Sequence, residues 1–328
     1  MAKMAAVILA AGKGTRMRSK LPKVLHKVGG KPMLEHVMAA AETAGADKSI
    51  VVGCFESEQV AGCVGRRGEI AVQAEQLGTG HAVMQTAELL KDFAGTVMII
   101  CGDTPLLDGC ELKKFYVEHQ SSGAAATVLT AILDNPTGYG RILRDCNGHV
   151  IGIVEEKDAT MSQKSICEIN TGIYCIEAPL LFEALSGLTC DNAQGEYYLT
   201  DVLGKLNEMG KFVGGVITAD SDMIMGINSR RQLADAETIM HTRILDKLMD
   251  QGVTIMDPAS TFIEGTVEIA QDSIIYPFTW LEGSTKIGTE SIIGPNVRLT
   301  NVVVGNATNL QFVYGHDCVV GSGVTVGP

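Results

Sequence analysis

Over the first 227 residues, short apolar runs alternate with longer stretches that mix apolar and polar positions. Ala5–Leu9, Ile50–Val52, Val97–Cys101 and Ala125–Ala131 are brief and rich in aliphatic residues, which predicts strands. Met33–Thr43, Gly80–Leu90 and Cys110–His119 are amphipathic and predict helices. Strands alternating with helices imply a parallel sheet covered on both faces. Such sheets bind ligands beyond the carboxyl ends of their strands.

The pattern then changes twice. Ser229–Met249 places Leu233, Ala236, Met240, Ile244, Leu245 and Leu248 near one face, and Gly252 follows, so one longer helix is expected between domains. After about residue 260, aliphatic residues recur every sixth position at Ile263, Ile269, Ile275, Leu281, Ile287, Ile293 and Leu299. The register slips by one and resumes at Val304, Leu310, Val320 and Val326. A period of six matches neither a helix nor a simple strand. It matches a left-handed parallel β-helix, in which each hexapeptide forms one side of a triangular coil with its aliphatic residue inward. The pattern is still running at Val326-Gly327-Pro328, with no capping segment, so a chain cut short within its solenoid is expected. These textures divide the chain into residues 1–227, a linker helix over 228–250, and a partial β-helix over 251–328.

Composition narrows the function. The 328 residues are 46% apolar and 20% charged, enough for two globular cores. A formal net charge of −12 argues against bulk binding of nucleic acid, so a polyanionic substrate needs local cations or a metal. The nine cysteines form no CxxC pair, and their scatter suits reduced thiols in a cytoplasmic protein. The apolar run at the start is too short to span a bilayer, so no membrane association is expected.

The first chemical signal is Leu9-Ala10-Ala11-Gly12-Lys13-Gly14-Thr15-Arg16-Met17, with Pro22-Lys23 behind it, directly after the first predicted strand. Glycines let backbone amides approach phosphate, and Arg16 and Lys23 add fixed positive charge. A dinucleotide fingerprint would need glycine where Met17 stands, and a Walker loop would end in GK[ST], which this loop does not. Gln73 and Gln76 carry amides with both donor and acceptor, suited to a base edge. Asp103 follows the run Val97–Cys101 and so belongs at the carboxyl end of a strand, where a metal-binding carboxylate is expected. Asn228 reads from position alone either as a metal ligand or as the N-cap of the following helix. His26, His36 and His81 form no ligand spacing and read as structural.

The stretch Leu9–Lys23 resembles the signature of sugar-1-phosphate nucleotidyltransferases. More narrowly, the chain resembles the bacterial bifunctional N-acetylglucosamine-1-phosphate uridyltransferase/glucosamine-1-phosphate acetyltransferase family. Further matches are Gln73–His81, Gly102-Asp103, Pro136–Arg141, Gly152–Glu155, Glu168–Gly172, Asn192–Tyr198 and Gly226–Asn228, in order along the first domain. The resemblance implies a Rossmann-like, mixed and mostly parallel α/β sheet. It places Leu9, Ala10, Ala11, Gly12, Lys23, Gln73, Gln76, Gly78 and Thr79 at the nucleotide, with Gln73 and the Gly78-Thr79 backbone at the uracil. Cys101 and Gly102 join this set, although an aromatic is common at position 101 in relatives. Gly140, Glu155, Asn170 and Thr200 are placed at the sugar, and Asp103 and Asn228 at a Mg²⁺ ion.

The implied reaction transfers UMP from UTP to N-acetylglucosamine-1-phosphate, giving UDP-N-acetylglucosamine and pyrophosphate for cell-wall and lipopolysaccharide precursors. Arg16, Lys23 and Asp103 would carry the catalysis. Full-length relatives are expected to be homotrimers that also acetylate glucosamine-1-phosphate with acetyl-CoA. That second activity is expected to be absent here, because its site needs later coils. Two rival readings remain: a transferase for another nucleotide or sugar, and a non-catalytic assembly subunit. The second would be expected to have lost Arg16, Lys23 or Asp103, and all three are present.

Overall fold

The computed structural model describes residues 3–54 and 58–328. They form two compact units, one of residues 3–26 with 32–54 and 58–230 and the other of 27–31 with 231–328.

The first unit is built on a nine-stranded sheet of β1 (Met4–Leu9), β2 (Lys48–Cys54), β3 (Glu69–Gln73), β4 (Thr96–Cys101), β5 (Ala126–Ile132), β6 (Arg141–Arg144), β7 (Val150–Val154), β8 (Glu168–Glu177) and β9 (Val213–Ile217). The main path runs β9-β5-β8-β4-β1-β2-β3. Along it only β8 runs opposite to its neighbours, pairing antiparallel with β4 and β5. The sheet is thus mixed and mostly parallel, as the resemblance implied, rather than wholly parallel as the strand–helix alternation alone suggested. The antiparallel hairpin β6–β7 hangs from β8.

Alternation along the strands feeds two cores. In β1, Ala5 and Val7 face one core while Met4, Ala6 and Ile8 face the other. The first core is closed by α7 (Ala178–Ser186) and α8 (Asp201–Glu208) through Leu181, Leu185, Val202, Leu203 and Leu206. The second is closed by α1 (Met33–Ala44) and α5 (Gly109–Ser122) through Leu34, Val37, Met38, Leu112 and Phe115. Burial on both faces explains why these strands read as continuous apolar runs. The helix expected over 80–90 is broken into α3 (Thr79–Met84) and α4 (Ala87–Leu90). At the break, buried Thr86 turns its hydroxyl back to the Val83 carbonyl at 2.7 Å, competing with the helical ladder.

In the second unit, α9 (Arg230–Asp250) precedes three parallel sheets that stack as the sides of the partial left-handed β-helix. Ile263, Ile269, Ile275, Leu281, Ile287, Ile293, Leu299, Val304 and Leu310 are all buried in one core. The coils shorten along the chain. Ile274 pairs with Ile292, eighteen residues on; Ile292 with Asn309, seventeen on; Asn309 with Thr325, sixteen on. The slip after Leu299 is therefore followed by another, which puts Gly315, not an aliphatic residue, in register with Leu299. A Cβ on Gly315 would lie 2.9 Å from Leu299 Cδ2, so the tightened coil excludes a side chain there. Val326 was expected inward but is 42% exposed on the edge strand of its sheet.

Candidate active site

The loop after β1 forms the floor of a cleft of about 290 Å³. Leu9, Ala10, Ala11, Gly12, Lys23, Gln73, Gln76, Gly78, Thr79, Cys101 and Asp103 all line it, joined by Val24, Ala82 and Glu196. Gly14 adopts φ +57° where a Cβ would stand 2.7 Å from Lys23 Cβ, so glycine lets the loop fold down over Lys23. A Cβ on Gly12 would meet nothing within 4 Å, so its backbone stays open to a ligand. The Gln76 side-chain amide donates to the Ala11 carbonyl and clamps this loop to the next. Arg16 lies on a short 3₁₀ turn, Thr15–Met17, exposed and outside the residues lining the cleft.

Lys23 is the centre of the charged part. Its ammonium forms an ion pair with Asp103 Oδ2 and donates to Asn228 Oδ1 at 3.0 Å. Lys23 and Asp103 side chains are only 13% and 15% exposed. Asp103 lies just past β4, and its carbonyl accepts from the Ile227 amide at 2.9 Å, which fixes Asn228 beside it. A carboxylate oxygen and an amide oxygen thus converge on one cation, although 125 residues separate them in sequence. Gly102 donates its amide to the Leu9 carbonyl at 2.9 Å, where a Cβ would stand 3.1 Å from the same oxygen. Burial, and then the Asp103 charge, push the Cys101 thiol up to about 12, so it stays protonated beside the carboxylate.

The other wall is the segment 73–81. Gln73 is buried, with its amide nitrogen 3.0 Å from the Gly78 carbonyl and 3.1 Å from His81 Nδ1. Gly78 has φ +106°, and a Cβ there would meet the Tyr197 carbonyl oxygen at 2.6 Å. The Asn192–Thr200 region braces this wall. The Gly80 amide donates to Tyr197, the Tyr197 amide to Leu77, and the Leu199 amide to Thr79 Oγ1 at 3.1 Å.

Gly140, Glu155, Asn170 and Thr200 also come together. A Cβ on Gly140 would lie 3.5 Å from both Asn170 Cβ and Glu155 Oε2. Thr200 Oγ1 donates to Glu155 Oε1 at 3.2 Å, and Tyr174 Oη to Asn170 Oδ1 at 2.9 Å. Burial raises Glu155 above the usual carboxylate value, opposed by the Thr200 hydrogen bond. The β8 ladder shifts register between Asn170 and Ile173. In that bulge Gly172 has φ +78°, and a Cβ on it would stand 3.3 Å from Cys101 Sγ. This group therefore adjoins the cleft through β4 and β8. Two of its supports were given no role from the sequence, although Arg141 closes the Pro136–Arg141 match. Arg141, 2% exposed, sets Nη2 2.7 Å from Glu156 Oε2 and donates Nη1 to the Tyr139 carbonyl, holding the Gly138–Gly140 loop.

The family model for nucleotidyl transferases matches residues 5–223, which contain the glycine loop, Lys23, the Gln73–His81 wall, Asp103 and Glu155. The chain belongs to the nucleotidyl transferase family. Asn228 lies just past the span of that model. Longer relatives cover it. "Bifunctional protein GlmU" of Pelotomaculum thermopropionicum is 53% identical over 325 residues, covering 99% of this chain and 71% of the relative. The proteins of that name from Geobacillus sp. and Heliobacterium modesticaldum are 48% and 50% identical, covering 100% and 98% of this chain and 72% and 71% of their own lengths. Among the described residues of this nucleotidyl transferase, no group of three or more His, Cys, Asp and Glu gathers as a metal site, and no helix is long and apolar enough to cross a membrane.

Proposed function

We propose that this nucleotidyl transferase moves UMP from UTP to N-acetylglucosamine-1-phosphate, yielding UDP-N-acetylglucosamine and pyrophosphate. The observation that carries the reading is Lys23 held between Asp103 and Asn228, beside an open glycine loop and a wall ending in a buried amide. The donor set suits Mg²⁺, a hard cation that takes one or two protein oxygens and leaves its remaining positions to phosphate and water. Asp103 and Asn228 are the residues that would hold it. When bound, the ion would neutralise charge on the phosphates undergoing substitution.

The attacking group is a phosphate oxygen of the sugar phosphate. It is already anionic, so the protein needs no general base and supplies alignment and charge. Amides of the Gly12–Gly14 loop approach the triphosphate closely. Lys23 carries its charge on a flexible stem and can follow the negative charge as it moves onto pyrophosphate. Glu155, Asn170, Thr200 and the Gly140 backbone offer acceptors and donors matched to the hydroxyls and acetamide of a neutral sugar.

The test is pyrophosphate release with Mg²⁺, UTP and N-acetylglucosamine-1-phosphate, run beside other triphosphates and sugar phosphates and an Asp103→Ala control. Release confined to the named pair and lost in the control is the expected result. Release with a different pair would replace the substrates, and silence from folded protein across the panel would remove the enzymatic reading.

A further inference from the structure

The amide at the end of the cleft wall is itself held in one orientation. Gln73 Nε2 lies 3.0 Å from the Gly78 carbonyl oxygen and 3.1 Å from His81 Nδ1. A carbonyl oxygen only accepts, so the Gln73 atom facing it must be the nitrogen. That nitrogen directs its second hydrogen to His81 Nδ1. Nδ1 is then the accepting ring nitrogen, and the neutral imidazole carries its proton on Nε2.

A second glutamine competes for the same ring. Gln85 Nε2 stands 3.1 Å from His81 Nε2 and donates to the His81 carbonyl at 3.0 Å. A neutral imidazole accepts at one nitrogen only, so the two glutamines cannot both donate to it. Gln73 is 4% exposed, whereas half-buried Gln85 keeps its bond to the carbonyl. An unmet buried donor costs more than an unmet solvated one, so Gln73 takes the acceptor. Both Gln73 N–H hydrogens are then used within the protein. The group left for the cleft is Oε1, a fixed acceptor.

We propose that His81 is a positioning residue for base selection. By accepting from Gln73, it presents Oε1 to the cleft and favours a pyrimidine whose N3 carries a hydrogen over one whose N3 is itself an acceptor. Uracil is of the first kind and cytosine of the second. This inference rests on the uridyltransferase reading above. With the ring in that tautomer, turning the amide over would aim Oε1 at two acceptors, the Gly78 oxygen and His81 Nδ1. Without the imidazole only one of these remains, and the amide is freer to offer N–H to cytosine.

The experiment compares kcat/KM for UTP, CTP and 5-methyl-UTP in the wild type, His81→Phe, His81→Leu and His81→Asn, each with N-acetylglucosamine-1-phosphate and each checked for folding by circular dichroism. The two apolar variants should lower the UTP/CTP ratio by roughly tenfold, mainly through KM for UTP. They should leave the ratio of UTP to 5-methyl-UTP unchanged, since both carry the N3 hydrogen. Asparagine, whose side-chain oxygen can stand near the position of Nδ1, should restore most of the selectivity. An unchanged UTP/CTP ratio in whichever apolar variant folds, with all three nucleotides slowed alike, would reduce His81 to a packing role. Failure of asparagine to recover any selectivity would count equally against it. A wild type inactive with UTP would instead overturn the reading on which the inference stands.

Discussion

Lys23 is one ammonium with two oxygen partners, and it shows how much of this site rests on single atoms. Removing it leaves the Asp103 carboxylate without its cation and the phosphates without a mobile positive charge. Lys23→Ala should lower kcat by about 10²-fold or more, in the range seen when one charge-stabilising group is lost, with an unchanged circular dichroism spectrum. A loss under threefold in steady-state assays would exclude the role given to Lys23. Glu155 shows the opposite compromise, a carboxyl kept where its charge is costly. Its folded pKa is raised, so folded and unfolded chains are both neutral there well below the ordinary value of 4.5, and no charge is buried. As pH climbs through the raised value the folded protein must ionise a desolvated group, and stability is lost. Glu155→Gln cannot ionise. Melting curves should therefore coincide with wild type near pH 4 and lie higher at pH 7–8, while turnover falls. A melting difference independent of pH would assign the effect to packing instead.

Elements, rather than residues, explain the glycines and the changing period of the solenoid. The segment from β3 into α3 must pass within van der Waals distance of Tyr197, and Gly78 permits it with left-handed backbone and no Cβ. Gly78→Ala puts a methyl 2.6 Å from a carbonyl oxygen in a conformation that alanine resists. It should raise KM for UTP at least tenfold, measured against a nearly constant KM for the sugar phosphate. In the β-helix, Gly283, Gly294 and Gly323 share the positive-φ positions with residues that are not glycine, including Asp272, Phe278, Glu290, Asn296 and Phe312. Asp272 and Asn296 are of the type that tolerates a positive φ, whereas nothing in Phe278, Glu290 or Phe312 announces one; there the stacked coils impose it. The inward aliphatic residues are more legible and more costly to trim. Ile293→Ala opens a fully buried site and should cost about 2–5 kcal/mol. The sole tryptophan, Trp280, lies on a β-helix strand and reports the loss by fluorescence in denaturant. A change under 0.5 kcal/mol would mean that the coil collapses around the gap.

At the scale of the molecule, the hydrophobic clusters respect the two units. Among the described residues, both sheet cores draw on residues 4–224 and the β-helix core on 245–310 and its close neighbours. Units with separate cores are expected to unfold separately. Trp280 should follow one transition, and Mg²⁺ with UTP should raise the midpoint of the other alone. Ligand at a hundredfold excess over its dissociation constant stabilises by about 2.7 kcal/mol. A single transition seen by all probes, or a ligand-shifted Trp280 signal, would show coupled unfolding.

Local chemistry was readable in the sequence wherever one short stretch carries it. The glycine loop, the strand ending at Asp103 and the six-residue period each depend on neighbours in the chain, because backbone access and side-chain periodicity are local properties. The sequence therefore determined the α/β and β-helix textures and named many of the residues now found lining the cleft, but not Val24, Ala82 or Glu196, and it named Arg16, which lies outside the lining. The antiparallel β8 and the second shortening of the coil at Gly315 were decided by pairing and packing with distant segments. The same holds for the site's finer order. Lys23 meets Asp103 and Asn228 only after 80 and 205 residues of intervening chain have folded. His81, unremarkable as a letter, acquires a partner only when α3 closes against β3. Tertiary structure chose those contacts because hydrogen bonds and ion pairs depend on distance and direction, and residues far apart in the chain acquire both only on folding.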